Sequence, residues 1–461
     1  MNLFSKMALC GALTISLFIV SPVALAAGTT MVAQFGAKGD GVTLNTVSIQ
    51  KAIDAAQKHG GGIVTFAPGT YLTGSIFVKS NVTLRIDKDV RLLGSQKIAD
   101  YPLVLTRVAG IEMTWPAALV NVIDGDHAAI TGEGTIDGDG KIFWDSYWAL
   151  RKIYEPRGLR WASDYDAKRP RLVMIYNSKN ITLGGGLMLR RSGFWTVHIC
   201  YSTGIKVDGV TIRNNEDGKG PSTDGIDIDS SSHVEVAHAD IAVNDDDLCL
   251  KAGRDWDGLR VNRPTTDVVI HDVVVRAGAA GVTIGSETSG GFRNIEVYNI
   301  TVMKPVPIGI LFKSAKVRGG FAEDVRIHDM TMTDVGTVFR VNLNWNPAYS
   351  YASIPPTEKN YPPYWVTLTN HVPEEKGIPH FRDVKIWNIH ATGSTVAIDA
   401  ASYPTAPMRN FAFKNWDVVA VKGGSITSAE GWTMADMKLK GPDGSPLKFS
   451  LSDDKNMTGF N

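Results

Sequence analysis

Only three of the 461 residues are cysteine, and no Cys/His cluster has zinc spacing. That excludes a disulfide scaffold. Once a leader is removed, Cys200 and Cys249 remain, and two buried thiols are expected rather than a bridge. Excess charge is also absent: Lys plus Arg total 47, as do Asp plus Glu. No net field draws the chain to nucleic acid or an anionic membrane, so an acidic ligand must be held by a local basic patch. Long hydrophobic runs are missing apart from Met7 to Val20. Lys6 precedes that run, and Pro22 and the small-residue site Ala24-Leu25-Ala26 follow it. This is the pattern of an export signal, too short for a membrane span. Residues 1–26 are read as a signal peptide, and 27–461 as one exported domain, periplasmic or secreted, that does not enter a membrane.

What is present is a phrase that keeps returning: alternating β-branched positions broken by Asn, Asp or Gly. It reads NITLGGGLML at 180, GIKVDGVTI at 204, HVEVAHADIAV at 233, DVVIHDVVV at 267 and NIEVYNITV at 294. DVRIHDMTM at 324, DVKIWNIHA at 383 and NFAFKNWDV at 410 continue it. The first aliphatic or aromatic residues of these copies, 181, 205, 234, 268, 295, 325, 384 and 411, are spaced by 24, 29, 34, 27, 30, 59 and 27. The step of 59 is read as two periods. Period-two alternation means strand, the polar residue means a bend, and a repeat of this length means stacked coils. Leucine-rich repeats would need a helical half, and propeller blades about 40 or more residues. The expected fold is therefore all-β, a single parallel β-helix whose rungs lie about 4.8 Å apart.

A solenoid must hide its open end. NTVSIQKAIDAAQKHGGG, with Val47, Ile49, Ile53 and Ala56 apolar and a stop at Gly60, supplies an N-terminal capping helix. Two Trp/Tyr-rich stretches, about 141–170 and 336–380, break the rhythm and are read as long loops over one face. Trp144, Trp148, Trp161, Trp345 and Tyr364 are the aromatic candidates in them for stacking on a ligand.

Acid is concentrated in two places. STDGIDID carries Asp224, Asp227 and Asp229, and NDDDLCLKAG carries Asp245, Asp246 and Asp247. Asp224 precedes Asp245 by 21 residues, about one coil, so the two belong on adjacent rungs. Alternation sets Asp227 and Asp229 opposite Ile226 and Ile228, and Asp245 and Asp247 opposite Leu248 and Leu250. It sends Asp246 inward unless the chain still bends there. Such a cluster can be a solvated turn face, a calcium site or an acid/base pair. Crowding keeps one carboxyl protonated to act as acid while a neighbour activates water, the pair that glycoside hydrolysis uses.

These two motifs are followed in order by GVTIGSETSGG at 281–291 and GILFKSAKVRGG at 309–320. With FGAKGDG at 35–41, GEGTIDGDG at 132–140 and SGFWTVH at 192–198, the chain resembles glycoside hydrolase family 28, the polygalacturonase-like pectin hydrolases. The resemblance implies a right-handed parallel β-helix acting with inversion on a pectic polysaccharide or oligosaccharide, without cofactor or metal. It implies that Asp224 positions water, Asp245 donates the proton and Asp246 is the partner base. Lys313 is implied to hold a substrate carboxylate or hydroxyl, and Gly281 is a motif glycine. The pattern departs from the family at Ala280, where a His is usual, at Leu311, where an Arg is usual, and at Asp247, where Cys is usual. Glu287 resembles members acting on chain ends or on rhamnogalacturonan. Arg254, Arg260, Arg263, Lys316 and Arg318 are candidates to replace the missing Arg. Asp227 and His198 complete the candidate contacts, Asp227 as an orienting group. The activity so implied is polygalacturonase-like or rhamnogalacturonan-directed hydrolysis, with end-trimming favoured by the long insertions. A pectate lyase on the same scaffold and a non-catalytic carbohydrate-binding or adhesion protein remain the alternatives.

Overall fold

The aliphatic and aromatic positions that mark the repeat stand one above another. The computed structural model describes residues 28–459, so the leader lies outside the described residues. In it Ile181 pairs with Ile205, Ile205 with Val234, Val234 with Val268 and Val268 with Ile295. Ile295 then pairs with Val325, Val325 with Val384 and Val384 with Phe411. Thirty strands join by such parallel pairing, and the result is a single right-handed parallel β-helix. A coil supplies three short strands, as in Ile226–Asp229, Ser232–Ala237 and Asp240–Ala242. Ile226, Ile228, Val234, Val236 and Ile241 of that coil point into one continuous apolar core.

The polar residue before each marker explains the corner. Asn180, His233, Asp267, Asn294, Asp324, Asp383 and Asn410 all have φ between 51 and 57°. Asn and Asp tolerate this left-handed conformation because their short side chains bond locally. Here they also bond between coils: Asn294 Nδ2 donates to Asp267 Oδ1 (2.7 Å), and Asn410 Nδ2 to Asp383 Oδ1 (2.9 Å).

Three expectations are corrected. Because Val325 pairs directly with Val384, the step of 59 is one coil with a long insertion, not two periods. A rung needs only that the chain return in register, and closure entropy grows slowly with loop length. Residues Thr337–Asn342, placed in the second loop, are a rung strand paired with Ile308–Lys313, so the excursion occupies 343–379. The stretch 141–170 is largely helical rather than loop: Lys141–Tyr154 forms a helix that buries Phe143, Trp144 and Tyr147. The capping helix spans Thr46–Lys58 and buries Ile49, Ala52, Ile53 and Ala56, whereas Val47 is 65% exposed on its far side.

A feature without a sequence signal completes the site's walls. Leu103–Val108 and Ile111–Pro116 form an antiparallel hairpin that turns at Ala109-Gly110. A Cβ on Gly110 would lie 2.3 Å from Arg254 Cβ, so only glycine lets the tip settle there. The hairpin and both excursions share a second apolar core containing Val108, Ile111, Trp115, Trp161, Tyr165, Phe194, Trp195 and Trp365.

Ile295 sits between Val268 and Val325 with no exposure. Ile295→Ala is expected to destabilise by about 2–5 kcal/mol in chemical denaturation. Val47→Ser is expected to stay within about 0.5 kcal/mol, as a surface change.

Candidate active site

Strand Ile226–Asp229 runs parallel to Leu248–Lys251, with Asp227 opposite Cys249 and Asp229 opposite Lys251. The ladder continues back through the preceding corner: the N–H groups of Gly225 and Ile226 donate to the carbonyls of Asp246 and Asp247, each at 2.9 Å. Asp224 is thereby set beside the next coil's acids. One oxygen each from Asp224, Asp245 and Asp246 lies within 4.8 Å of the others.

Alternation does not reach back to residue 246, because the strand starts only at Leu248. Asp246 therefore faces the cluster, where its Oδ2 accepts Lys313 Nζ at 2.6 Å. Asp247, expected on the outer face, is fully enclosed against Gly278, and neither carboxylate oxygen has a hydrogen-bond partner among the described residues. Asp245 is half-buried and makes no ion pair among the described residues; its Oδ1 accepts the Asp246 N–H at 3.0 Å.

Two buried ammonium groups hold the acids together. Lys251 Nζ lies 3.4 Å from each of Asp224, Asp227 and Glu287. Lys313 serves Asp246 and lies over the Trp345 ring, 4.3 Å from its centroid. The carboxylates have the chemistry and closeness a calcium ion accepts, but these lysines already bring positive charge to Asp224 and Asp246.

Carboxylates outnumber ammonium groups here, and the pKa directions follow. Burial, with Asp227 and Asp245 as neighbours, pushes Asp224 well up. Asp245 is raised by burial and by Asp246. Asp227 is raised to about 7, burial outweighing Lys251. Glu287 goes the other way: burial opposes its charge, but Lys251, Arg318, Lys313 and Arg254 together hold it down to about 2. The cluster thus retains protons near neutral pH while Glu287 stays ionised.

The three acids line the floor of a recess together with Lys251, Lys313 and Glu287. Its walls come from Phe194 and Trp195 on one side, and from Trp345, Tyr349, Arg160 and the hairpin's Ala109. Of the aromatic candidates, Trp345 alone lines it. Trp144 and Trp161 are buried in the wall, Trp148 donates to the Lys219 carbonyl, and Tyr364 is tied to Asp166.

Four expected substrate contacts do not line the recess. Asp227 lies fully buried behind Lys251 and orients it. His198 is enclosed, with Nε2 3.4 Å from Asp229 and its ring edge-on to Trp195. Arg254 is buried between the Tyr165 hydroxyl (2.9 Å), the Tyr349 carbonyl (2.7 Å) and Asp255 (3.1 Å), bracing the wall. Gly281 is a packing requirement: a Cβ there would meet Val302 at 2.9 Å. Arg318 is likewise buried against Asp255, while Arg260 pairs with Glu112 and Asp257 at the surface.

Sequence pattern singles out neither Lys251 nor Trp195. A signal for Lys251 exists: counting alternation onward from Cys249 puts it on the face of Asp227 and Asp229. Tyr349 and Arg160 have none, since their placement depends on how the excursions fold.

Residues 67–353 match the family model described as Glycosyl hydrolases family 28. Residues 30–90 match a rhamnogalacturonase A/epimerase, pectate lyase-like model. The chain is 28% identical over 429 residues to a probable polygalacturonase of Vitis vinifera, covering 91% of this chain and 79% of that protein. It is 26% identical over 338 residues to an exo-poly-alpha-D-galacturonosidase of Dickeya chrysanthemi, covering 66% of this chain and 55% of that one, about half its length. Among solved structures, a hyperthermoactive exopolygalacturonase from Thermotoga maritima aligns with a TM-score of 0.73 at 25% identity, over 89% of this chain and 92% of that one.

The wall's footing gives a pH prediction. Burial, then the nearby Arg171, lower His198 from 6.5 to about 4 despite the pull of Asp229. The unfolded chain therefore binds the extra proton first as pH falls, so His198 contributes stability above pH 6.5 that is lost on acidification. The loss reaches about 3 kcal/mol by pH 4. Denaturation midpoints of His198→Gln should fall less steeply between pH 6.5 and 4 than those of the parent.

Proposed function

The chain belongs to glycosyl hydrolase family 28, and from that premise we propose that it removes galacturonate units from the ends of pectic chains. The coarser statement needs no proposal: it is a pectin-degrading glycoside hydrolase. The observation that carries the finer one is the meeting of Asp224, Asp245 and Asp246, from consecutive coils, on the floor of a walled recess.

In this reading Asp245 is the proton donor. It is raised by burial and by Asp246, which outweigh the pull of Lys313 and Lys251, and no cation pairs with it directly among the described residues. Asp224 is also pushed up, with Lys251 3.4 Å away to favour its charge, and the family's pattern of roles assigns the ionised base to Asp224 and the proton to Asp245. Asp246, ion-paired with Lys313, is the second base. Oxygens within 4.8 Å of each other are spanned by one water donating two bonds of about 2.7 Å. Asp224 and Asp246 thus bracket a water for attack. A separation near 5 Å usually accompanies a carboxylate nucleophile and retention. Inversion is held here because two bases flank the water position rather than one nucleophile facing the sugar.

End-trimming is supported by the walls. The hairpin and both excursions pack into one apolar core above the rungs, which narrows the open groove of a bare β-helix to a recess. Trp195 and Trp345 flank that recess and suit the apolar faces of one sugar ring. Export through the leader is part of the proposal; no helix among the described residues is long and apolar enough to cross a membrane.

Homogalacturonan oligosaccharides should yield monogalacturonate from the first turnovers. NMR of fresh product should show the β anomer from the α-linked substrate, whereas an initial α anomer refutes the water-bracketing argument. Products absorbing in the ultraviolet would instead mean elimination. Asp245→Asn should lower kcat by about 10²–10⁴-fold with little change in substrate binding. Lys251→Met removes the positive charge beside Asp224, Asp227 and Glu287, so the acidic limb of the kcat profile should move to higher pH by about 1–3 units. An unmoved limb would deny Lys251 its part in setting the base.

A further inference from the structure

We propose that Arg160, on the excursion wall, is the residue that grips the substrate's carboxylate and makes the site select a uronate. The inference rests on the hydrolase reading above and identifies its specificity residue.

A uronate brings a negative charge into a recess already crowded with carboxylates, so some cation must be reserved for it. The rung face offers none. Leu311 occupies the position where a guanidinium is expected, is 4% exposed, and does not line the recess. Lys251 and Lys313 do line it, but Lys251 is shared by Asp224, Asp227 and Glu287, and Lys313 is paired with Asp246 at 2.6 Å. Both are committed to the acids of the floor.

Arg160 stands apart from them. Its Nη1 donates to Asp164 Oδ2 at 2.7 Å. Asp164 is also claimed by Arg169 (3.3 Å) and by the Ser222 hydroxyl (2.8 Å). Two guanidinium groups on one carboxylate leave one positive charge over, beside the recess that Arg160, Asp164 and Ser222 all line. The buried Nε of Arg160 has no hydrogen-bond partner among the described residues, and its side chain is 15% exposed. Its guanidinium carbon lies 5.4 Å over the Tyr349 ring, so the planar group is held in place by packing. A surplus charge on a packed guanidinium whose Nη2 makes no hydrogen bond among the described residues is the geometry that accepts a carboxylate.

Arg340 is the rival, as the register partner of Leu311 on the next coil. It is paired one-to-one with Asp399 at 3.0 Å and lines a separate groove with Lys422 and Lys448. It has no surplus charge and no access to the recess.

The test compares the parent, Arg160→Gln, Arg160→Lys and Arg340→Gln on trigalacturonate and on its methyl ester. Calorimetric binding of D-galacturonate and its neutral methyl ester is measured alongside. The parent should favour the free acid at least 100-fold in kcat/KM. Arg160→Gln should lose at least tenfold of that preference, chiefly through KM. Arg160→Lys should keep the charge but not the fork, with an intermediate preference, and Arg340→Gln should match the parent. A folded Arg160→Gln with the parent's preference, or a loss of preference in Arg340→Gln instead, overturns the assignment. If Arg160→Gln does not fold, Arg160→Lys decides: an unchanged KM for the free acid overturns it. If the parent cleaves no pectic oligosaccharide, the hydrolase reading fails separately. Galacturonate binding that depends on Arg160 then still upholds the assignment, and equal or absent binding by parent and variant overturns it.

Discussion

The hydrogen-bond ladder between the coil of Asp224 and the coil of Asp245 and Asp246 governs the rest of the structure. Thr196 donates to the Asp224 carbonyl, and Gly225 to the Asp246 carbonyl, so three successive coils are locked where the acids sit. A slip of one residue would exchange Ile226 and Ile228 with Asp227 and Asp229, taking acid into the apolar core. The core thus enforces the register that the chemistry needs. Closeness has its own demand: a Cβ on residue 225 would lie 2.3 Å from the Asp247 carbonyl, so glycine is required between the two acidic motifs.

Charge buried on such a scale has to be balanced locally. At the floor, Lys251 and Lys313 are distributed over more carboxylates than they neutralise, which keeps protons in the cluster. One coil edge away the balance is complete: Arg107 Nη1 meets Asp229 Oδ1 at 2.8 Å, and Asp229 is held well below the usual carboxylate range, Arg107 and His198 outweighing burial. Arg107 belongs to the hairpin, so this ion pair also fastens the hairpin to the rung. Arg254 and Arg318 stand behind Glu287 and keep it ionised at the recess wall. Structural and chemical charges therefore share one electrostatic system, and the unused acid beneath it, Asp247, is pushed up by its enclosure and by Asp246.

Much of this was legible in the residues. Alternating side chains and a polar corner are local features, and the markers from Ile181 to Phe411 stack in register at every step, the step from Val325 to Val384 alone differing from the spacing's expectation. The joint position of Asp224 with Asp245 followed from the same period. Legibility ended where local pattern ends. Residues 246 and 247 precede their strand, so alternation does not place them: Asp246 meets the exception of a chain still bending, and Asp247 is enclosed where the outer face is expected. The coil of 59 was read as two because an insertion in a solenoid changes the spacing and not the stacking. The hairpin at 103–116 and the segments around Trp161 and Trp365 take their positions from a shared second core, which is a property of distant segments together. Arg160 and Tyr349 enter the site by that route, whereas Lys251 is marked in the residues by its alternation with Cys249.

The left-handed corners have a wider consequence. Several are closed by Asn or Asp and bond to a counterpart on the next coil, whether the chain between them spans 27 residues or 59. The scaffold is in that sense indifferent to what leaves and re-enters between rungs. Material enters and leaves between rungs without altering the stacking of the coils, as the 59-residue step shows. Such a molecule divides into two parts, a geometry of reaction set by the coils and a mouth set by what is inserted between them.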